Sequence, residues 1–198
     1  MNILWDFDGT LFNTYPTYTK LLKETLGEGA TEEEALAQLK ISFGHAFHFF
    51  KLTEEQSRKL MQKVRGLKPE EFEPFPGLEE VLKMAEKNVI MTHKERDDVW
   101  KVLKLNKLDH YFSEMVAGDD GYPRKPDPAS YEYLHNKHRI DLAIGDRDID
   151  LEPARKLGIG TCAFQNHKAE ADFYLDDYRD FDRIRKVFEA AEKNSLEK

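Results

Sequence analysis

Short apolar runs recur along this chain with helical patterning between them. Ile3-Leu4-Trp5, Val89-Ile90-Met91, Phe112 to Ala117, Leu142-Ala143-Ile144 and Gly160 to Phe164 each read as a strand. Strands that alternate with helices predict a parallel sheet with helices on both faces, an α/β fold. One region breaks the rhythm. From Asn13 to Glu73 no good strand appears, and the stretch reads as several helices. Thr31 with Glu34 and Thr53 with Gln56 have capping-box spacing, and Phe43, Phe47 and Phe50 recur at helical intervals. About sixty helical residues are too many for an ordinary crossover, so residues 13–73 read as an inserted helical module. Pro74-Phe75-Pro76-Gly77 punctuates the return, which leaves 1–12 and 74–198 as the main domain. The tail from Asp182 reads as a charged helix.

Charge narrows the choice of partners. The 198 residues carry 30 Lys and Arg against 38 Asp and Glu, a formal net charge of -8. That balance opposes general binding to nucleic acid, which calls for clustered positive charge. It is compatible with a small anionic substrate held by a few local cations. The single cysteine, Cys162, lies in an apolar run, so no intrachain disulfide forms and the residue reads as a buried small hydrophobe. The first residues lack the basic head and apolar stretch of a signal peptide. No window approaches the roughly 18 apolar residues of a membrane span. A soluble, cytoplasmic protein with no membrane partner is the expectation.

In an open parallel sheet, ligands bind beyond the carboxyl ends of the strands. Asp6 and Asp8 follow the first run. Residues two apart along a strand share a face, which sets the two carboxylates together and turns Phe7 into the core. Two adjacent carboxylates call for a cation such as magnesium or a shared proton. Asp8-Gly9 between apolar runs is equally a β-hairpin signal. Thr92 follows the second run and offers a hydroxyl to a phosphate, and with Glu95 it also has the spacing of a capping box. Lys125 precedes Asp127 and Pro128, which read as the N-cap and first residue of a helix. It suits an anion there, or is an ordinary loop lysine. Asp146 follows the fourth run with Asp150 one helical turn on. The pair suits magnesium, or is an acidic helix start favoured by the helix dipole. Taken together, the strand ends supply a nucleophile, an acid/base, a hydroxyl, a cation and a metal ligand.

The order Asp6-Phe7-Asp8-Gly9-Thr10, Thr92 after a strand, Lys125-Pro126, then Gly145-Asp146-x-x-x-Asp150 resembles the haloacid dehalogenase superfamily. The likeness extends to Pro74–Gly77 and to the run from Asp150 to Gly158, and is similar to the phosphoglycolate phosphatase-like branch. The resemblance implies a Rossmann-like core with an inserted α-helical cap. It implies that Asp6 is the nucleophile forming an aspartyl-phosphate and Asp8 the general acid and base. Thr92 and Lys125 would bind phosphoryl oxygens, with His93 beside them at the substrate. Asp6, the Asp8 carbonyl and Asp146 would hold Mg2+, and Asp150 would fix the site from just behind. A carboxylate at Asp8 favours phosphate-ester chemistry over dehalogenation or phosphonate cleavage. The implied activity is a magnesium-dependent phosphatase for a small phosphorylated metabolite, in a monomer or weak homodimer. The competing readings are a phosphotransferase such as a sugar-phosphate mutase, and a catalytically silent ligand sensor. Asn13-Thr14, His93 and Arg147 depart from the commonest pattern, which has Asp-Ser, Asn, and Ser or Thr there. In the implied cap, His45, His48, Phe49, Tyr15 and Tyr18 read as packing or solvent-facing residues, with substrate contact as the alternative. His135 and His138 suggest no metal site.

Overall fold

The computed structural model describes residues 1–196. Among them six strands form one parallel sheet. They are β1 (Asn2–Trp5), β2 (Lys87–Met91), β3 (Phe112–Val116), β4 (Leu142–Gly145), β5 (Gly160–Phe164) and β6 (Phe173–Leu175). The order across the sheet is β3-β2-β1-β4-β5-β6. The chain steps outward from β1 to β3, then returns to the other side of β1 and steps outward again. The reversal lies between β1 and β4, where Trp5 is in register with Ile144. A crevice opens at such a switch point beyond the strand ends, because the connections leave in opposite directions.

The strands are continuous apolar runs because both faces are covered. Leu4, Val89, Met91, Val116 and Ala143 share one face with Tyr131 and Leu134 of α7 (Ala129–His138) and Ala154 of α8 (Asp148–Lys156). On the alternate positions Trp5 meets the edge of Tyr178 at 5.7 Å, and its indole N–H donates to Asn88 Oδ1 at 2.8 Å. That bond and the Asn88 amide's donation to the Leu82 carbonyl satisfy a buried polar residue. Cys162 is buried, and burial pushes its thiol up to about 12. No described helix is long and apolar enough to cross a membrane.

The described chain divides into two compact units, one of residues 1–12 with those from Pro74 onward, and one of Asn13–Glu73. The second holds α1 (Tyr15–Leu26), α2 (Glu32–Ile41), α3 (Phe43–Phe49) and α4 (Glu54–Arg65). Capping boxes start α2 at Thr31/Glu34 and α4 at Thr53/Gln56. Tyr18 is buried among Phe43 and Phe72, with Phe43 leaning on Phe47. Tyr15 is buried too, while His45, His48 and Phe49 are exposed within this unit.

Three local expectations change. Thr92 and Glu95 form no capping box, since the next helix, α6 (Arg96–Leu105), starts only at Arg96. Thr92 is still extended: its N–H donates to the Val116 carbonyl at 3.0 Å and prolongs the β2–β3 ladder. Its hydroxyl accepts from the Lys94 N–H instead. In α7 the cap position falls on Pro128 and not Asp127, although the Asp127 carboxylate still accepts from the Ala129 N–H at 3.0 Å. The third is β6, a strand with no counterpart among the apolar runs.

Candidate active site

The Asp8-Gly9 turn does not make a hairpin. β1 pairs in parallel with β2 and β4, and the chain beyond Asp6 curls into a tight loop. The Phe7 carbonyl accepts from the N–H groups of Leu11 and Phe12, both at 3.1 Å, and the Gly9 N–H donates to the Phe12 carbonyl at 2.9 Å. Gly9 takes φ +79°, a backbone state that costs other residues about 1 kcal/mol or more. Phe7 is fully buried and stacks on Phe12 at 4.8 Å, while Asp6 meets Lys125 and Asp8 meets Lys94.

β4 ends in the same crevice. The Asp6 N–H donates to the Ile144 carbonyl at 3.0 Å, so the two strands stay paired up to the acidic motifs. Gly145 permits the close turn into α8: a Cβ there would lie 2.4 Å from that of Asp150. Asn166 donates to the Asp146 carbonyl at 2.8 Å and holds the following backbone from beyond β5.

Lys125 ties these ends together. It arrives on the loop between β3 and β4, through a cis peptide to Pro126. Its ammonium lies 2.5 Å from Asp6 Oδ1 and 2.6 Å from Asp150 Oδ1, and it also donates to the Met91 carbonyl at 3.2 Å. Its side chain is 0% exposed. A buried lysine would ordinarily lose its proton, but the carboxylates of Asp150 and Asp6 outweigh burial and hold it charged above its usual range. Asp6 also accepts from the Thr10 hydroxyl at 3.2 Å. Burial, then the neighbouring Asp150 charge, push the Asp6 carboxyl up to about 6 against the pull of Lys125 and Arg147. Burial would raise Asp150 as well, yet Lys125 and Arg147 hold it below the ordinary range.

Asp6, Asp146 and Asp150 are all buried, and each offers an oxygen within 4.8 Å of the others. Oxygen donors crowded at this spacing suit a hard divalent cation such as magnesium. The raised Asp6 pKa reflects its burial first and the neighbouring Asp150 charge second. Each of the three already has a cation beside it: Asp150 takes Lys125 and the Arg147 side chain and backbone, Asp6 takes Lys125, and Asp146 lies 3.7 Å from Arg147.

The remaining sequence candidates lie around this cluster. Thr92, buried, ends β2 one residue after the carbonyl that Lys125 binds. His93 Nε2 accepts the Lys125 N–H at 2.9 Å. A backbone N–H can only donate, so the imidazole is neutral with its proton on Nδ1. Burial, then the charges of Lys125, Arg124 and Arg147, push its pKa down to about 3. His93 therefore braces the Lys125 loop and has only Nδ1–H left for a ligand.

Two residues escaped the sequence reading. Lys94 brings its ammonium to 3.7 Å from Asp8 Oδ1. Arg147 lays its guanidinium on Asp150 and 3.7 Å from Asp146. Lys94 lies in the loop after Thr92 and meets Asp8 from a different strand end; Arg147 lies inside the acidic motif and pairs with that motif's own carboxylates. His138, by contrast, hydrogen-bonds Glu114 on the flank of β3 and joins no metal-ligand cluster among the described residues.

A model of haloacid dehalogenase-like hydrolases matches residues 3–164. The chain belongs to that family. Among the proteins similar to it is Pyrophosphatase PpaX of Bacillus cereus (strain Q1), 28% identical over 191 residues that cover 89% of this chain and 88% of the relative. A hydrolase from Streptococcus pneumoniae TIGR4 superposes with a TM-score of 0.64 at 28% identity, covering 84% of this chain and 93% of the other. A structure described as a predicted phosphoglycolate phosphatase, from Haemophilus somnus 129pt, superposes with a TM-score of 0.72 at 22% identity, covering 92% and 96%. That last likeness speaks for the fold. The two superposed structures share this chain's fold.

Proposed function

We propose that this protein is a magnesium-dependent phosphatase that hydrolyses a small phosphorylated metabolite through an aspartyl-phosphate on Asp6. The observation that carries the reading is Lys125. It stands buried between Asp6 and Asp150 at the switch point, and fixes a nucleophilic carboxylate beside a permanent cation. Such a pair lets a negative nucleophile meet a negative phosphoryl group, a reaction in which positioning and charge stabilisation are the protein's main tasks.

In the first step an Asp6 oxygen attacks phosphorus, and the bond to the leaving oxygen breaks. Asp8 delivers the proton that the leaving oxygen takes up. In the second step Asp8 removes a proton from water as it attacks the aspartyl-phosphate, and Asp6 is released. Asp8 suits this traffic because it is more open to solvent than Asp6, at 25% against 3% side-chain exposure. Thr92 and Lys125 would bind phosphoryl oxygens, with the His93 Nδ1–H as a further donor. Asp6, Asp146 and the Asp8 carbonyl would hold Mg2+, which when bound neutralises the carboxylates and the developing phosphoryl charge. Asp150 orients Lys125. The helical unit, residues 13–73, would serve as the cap that selects the substrate.

Inorganic pyrophosphate is a second reading, favoured by Lys94. A phosphate leaving group is itself an anion, and a cation 3.7 Å from Asp8 stands where that charge would depart. The activity that the name of the Bacillus relative states points the same way.

Phosphate release from pyrophosphate, 2-phosphoglycolate, sugar phosphates and an aryl phosphate, with and without Mg2+, tests the proposal. Magnesium-dependent release, with one compound clearly preferred by kcat/KM, is the expected result. An isomeric sugar phosphate in place of free phosphate would establish a mutase. A well-folded sample that releases phosphate from none of them would point to a silent ligand sensor.

A further inference from the structure

The arginine inside the acidic motif is chemically out of place. Arg147 follows Asp146, one of the carboxylates proposed to hold the metal, and brings a permanent positive charge into the same site. Its Nε donates to Asp150 Oδ2 at 3.2 Å and its Nη2 reaches Asp150 Oδ1 at 3.4 Å. The same Nε lies 3.7 Å from Asp146 Oδ1. The side chain is 19% exposed, so water screens it only in part.

Asp150 does not depend on this partner alone. Lys125 already pairs with it at 2.6 Å, and the Arg147 backbone N–H caps it at 3.2 Å. The distinctive consequence of the guanidinium is therefore felt at Asp146. An arginine cannot shed its proton in a protein, so it remains a fixed counter-ion. Any divalent cation that binds Asp146 must do so against that charge at close range, where water's dielectric is only partly effective.

The geometry points to Arg147 as a built-in competitor for Asp146 that weakens magnesium binding by the free protein. The inference rests on the reading of Asp146 as a metal ligand. It makes the site a weak magnesium trap when empty of substrate, with part of the required positive charge supplied by the protein itself.

Calorimetric titration of Mg2+ into the metal-free full-length protein, without substrate, tests this directly. R147Q removes the charge and keeps a hydrogen-bond donor; R147S serves the same purpose should R147Q fail to fold, and R147K keeps the charge. Removing one full charge this close to a ligand tightens Mg2+ binding by about tenfold. R147K binds within about twofold of wild type, because charge and not fork geometry sets the effect. Equal or weaker binding by the neutral variants overturns the inference, as does an R147K that binds as tightly as R147Q. If neither wild type nor the neutral variants bind Mg2+, the metal reading fails and takes the inference with it. Wild-type binding that the neutral variants leave unchanged removes the inference alone.

Discussion

Two carboxylates in the sheet unit each have a lysine for a partner, and they behave in opposite ways. Asp6 is buried with Lys125 at the end of β1. Glu114 lies on β3 at the flank, where it accepts from the Tyr133 hydroxyl, the Lys137 ammonium and His138. Burial would raise Glu114, but those three donors outweigh it and bring its pKa down to about 2. Asp6 has Lys125 and the Thr10 hydroxyl, yet burial and Asp150 push it up to about 6. Glu114 is a satisfied acid that fastens α7 to β3. Asp6 sits in a cluster that holds more negative charge than its cations balance. Acids perturbed in this way gather at functional sites, which makes a residual shift a better guide to function than pairing alone.

The first way to break this contrast is chemical. Asp6→Asn is expected to lower turnover by at least about a thousandfold, because the amide cannot attack phosphorus. Glu114→Gln is expected to leave kcat unchanged. Steady-state phosphate release by both variants compares them, with mass spectrometry excluding deamidation of the introduced amide back to aspartate.

Removing the lysines is the next largest test. Lys125→Met strands two buried carboxylates and is expected to cost about 3–5 kcal/mol of stability in urea unfolding. Lys137→Met, which removes a half-exposed lysine from Glu114, is expected to cost less than about 1 kcal/mol.

The two acids also carry opposite pH signatures. The Asp6 carboxyl is raised, so the metal-free fold binds its proton more readily than the unfolded chain does. Its burden is full above about pH 6 and is relieved as pH falls from 6 toward its ordinary 3.8. Asp6→Asn should therefore stabilise the metal-free protein at pH 7 by about 1–3 kcal/mol, and the gain should fade in that window. Glu114 is lowered. Its contribution is present above the ordinary carboxylate value of 4.5 and is lost as pH falls toward about 2. The difference in stability between wild type and Glu114→Gln should shrink over that lower range. Urea midpoints of the metal-free proteins across the two windows check both signs.

The helical unit offers a further small effect. Thr53→Ala removes the cap of α4 and should cost about 1 kcal/mol. Thermal unfolding, with kcat unchanged, is the readout.

What was legible in the chain follows the range of the forces involved. β1 to β5 appeared as apolar runs because their central residues are covered on both faces, although β2 opens on Lys87 and Asn88 and β3 carries Ser113 and Glu114. Asp6, Lys125 and Asp150 were visible as strand-end and loop residues, and the structure brings them into contact. β6 was hidden because it is three residues at the sheet edge, with Phe173 and Tyr174 only half-buried. The box at Thr92 and Glu95 had the right spacing, but sheet pairing with Val116 kept Thr92 extended. Local spacing competes with long-range hydrogen bonds there, and loses. Lys94 and His93 show the same limit. For both, the partner is set by the meeting of strand ends or of two loops, and their sequence neighbours carry no sign of Asp8 or the Lys125 backbone. The Arg147 partners are its own neighbours, and what the spacing leaves open is how its side chain turns between them.

The central claim is that Asp6 carries the phosphoryl group, and trapping that intermediate tests it most directly. The protein would be mixed with Mg2+ and whichever substrate of the panel turns over fastest, radiolabelled in its phosphoryl group, then quenched in acid during steady state. One portion would be peptide-mapped for the label, and a second treated with borohydride before mapping. The account predicts label on the peptide containing Asp6 in the first portion and reductive conversion of that residue in the second, both lost in Asp6→Asn. Label on another side chain, or steady turnover with no labelled protein at any time, would contradict it.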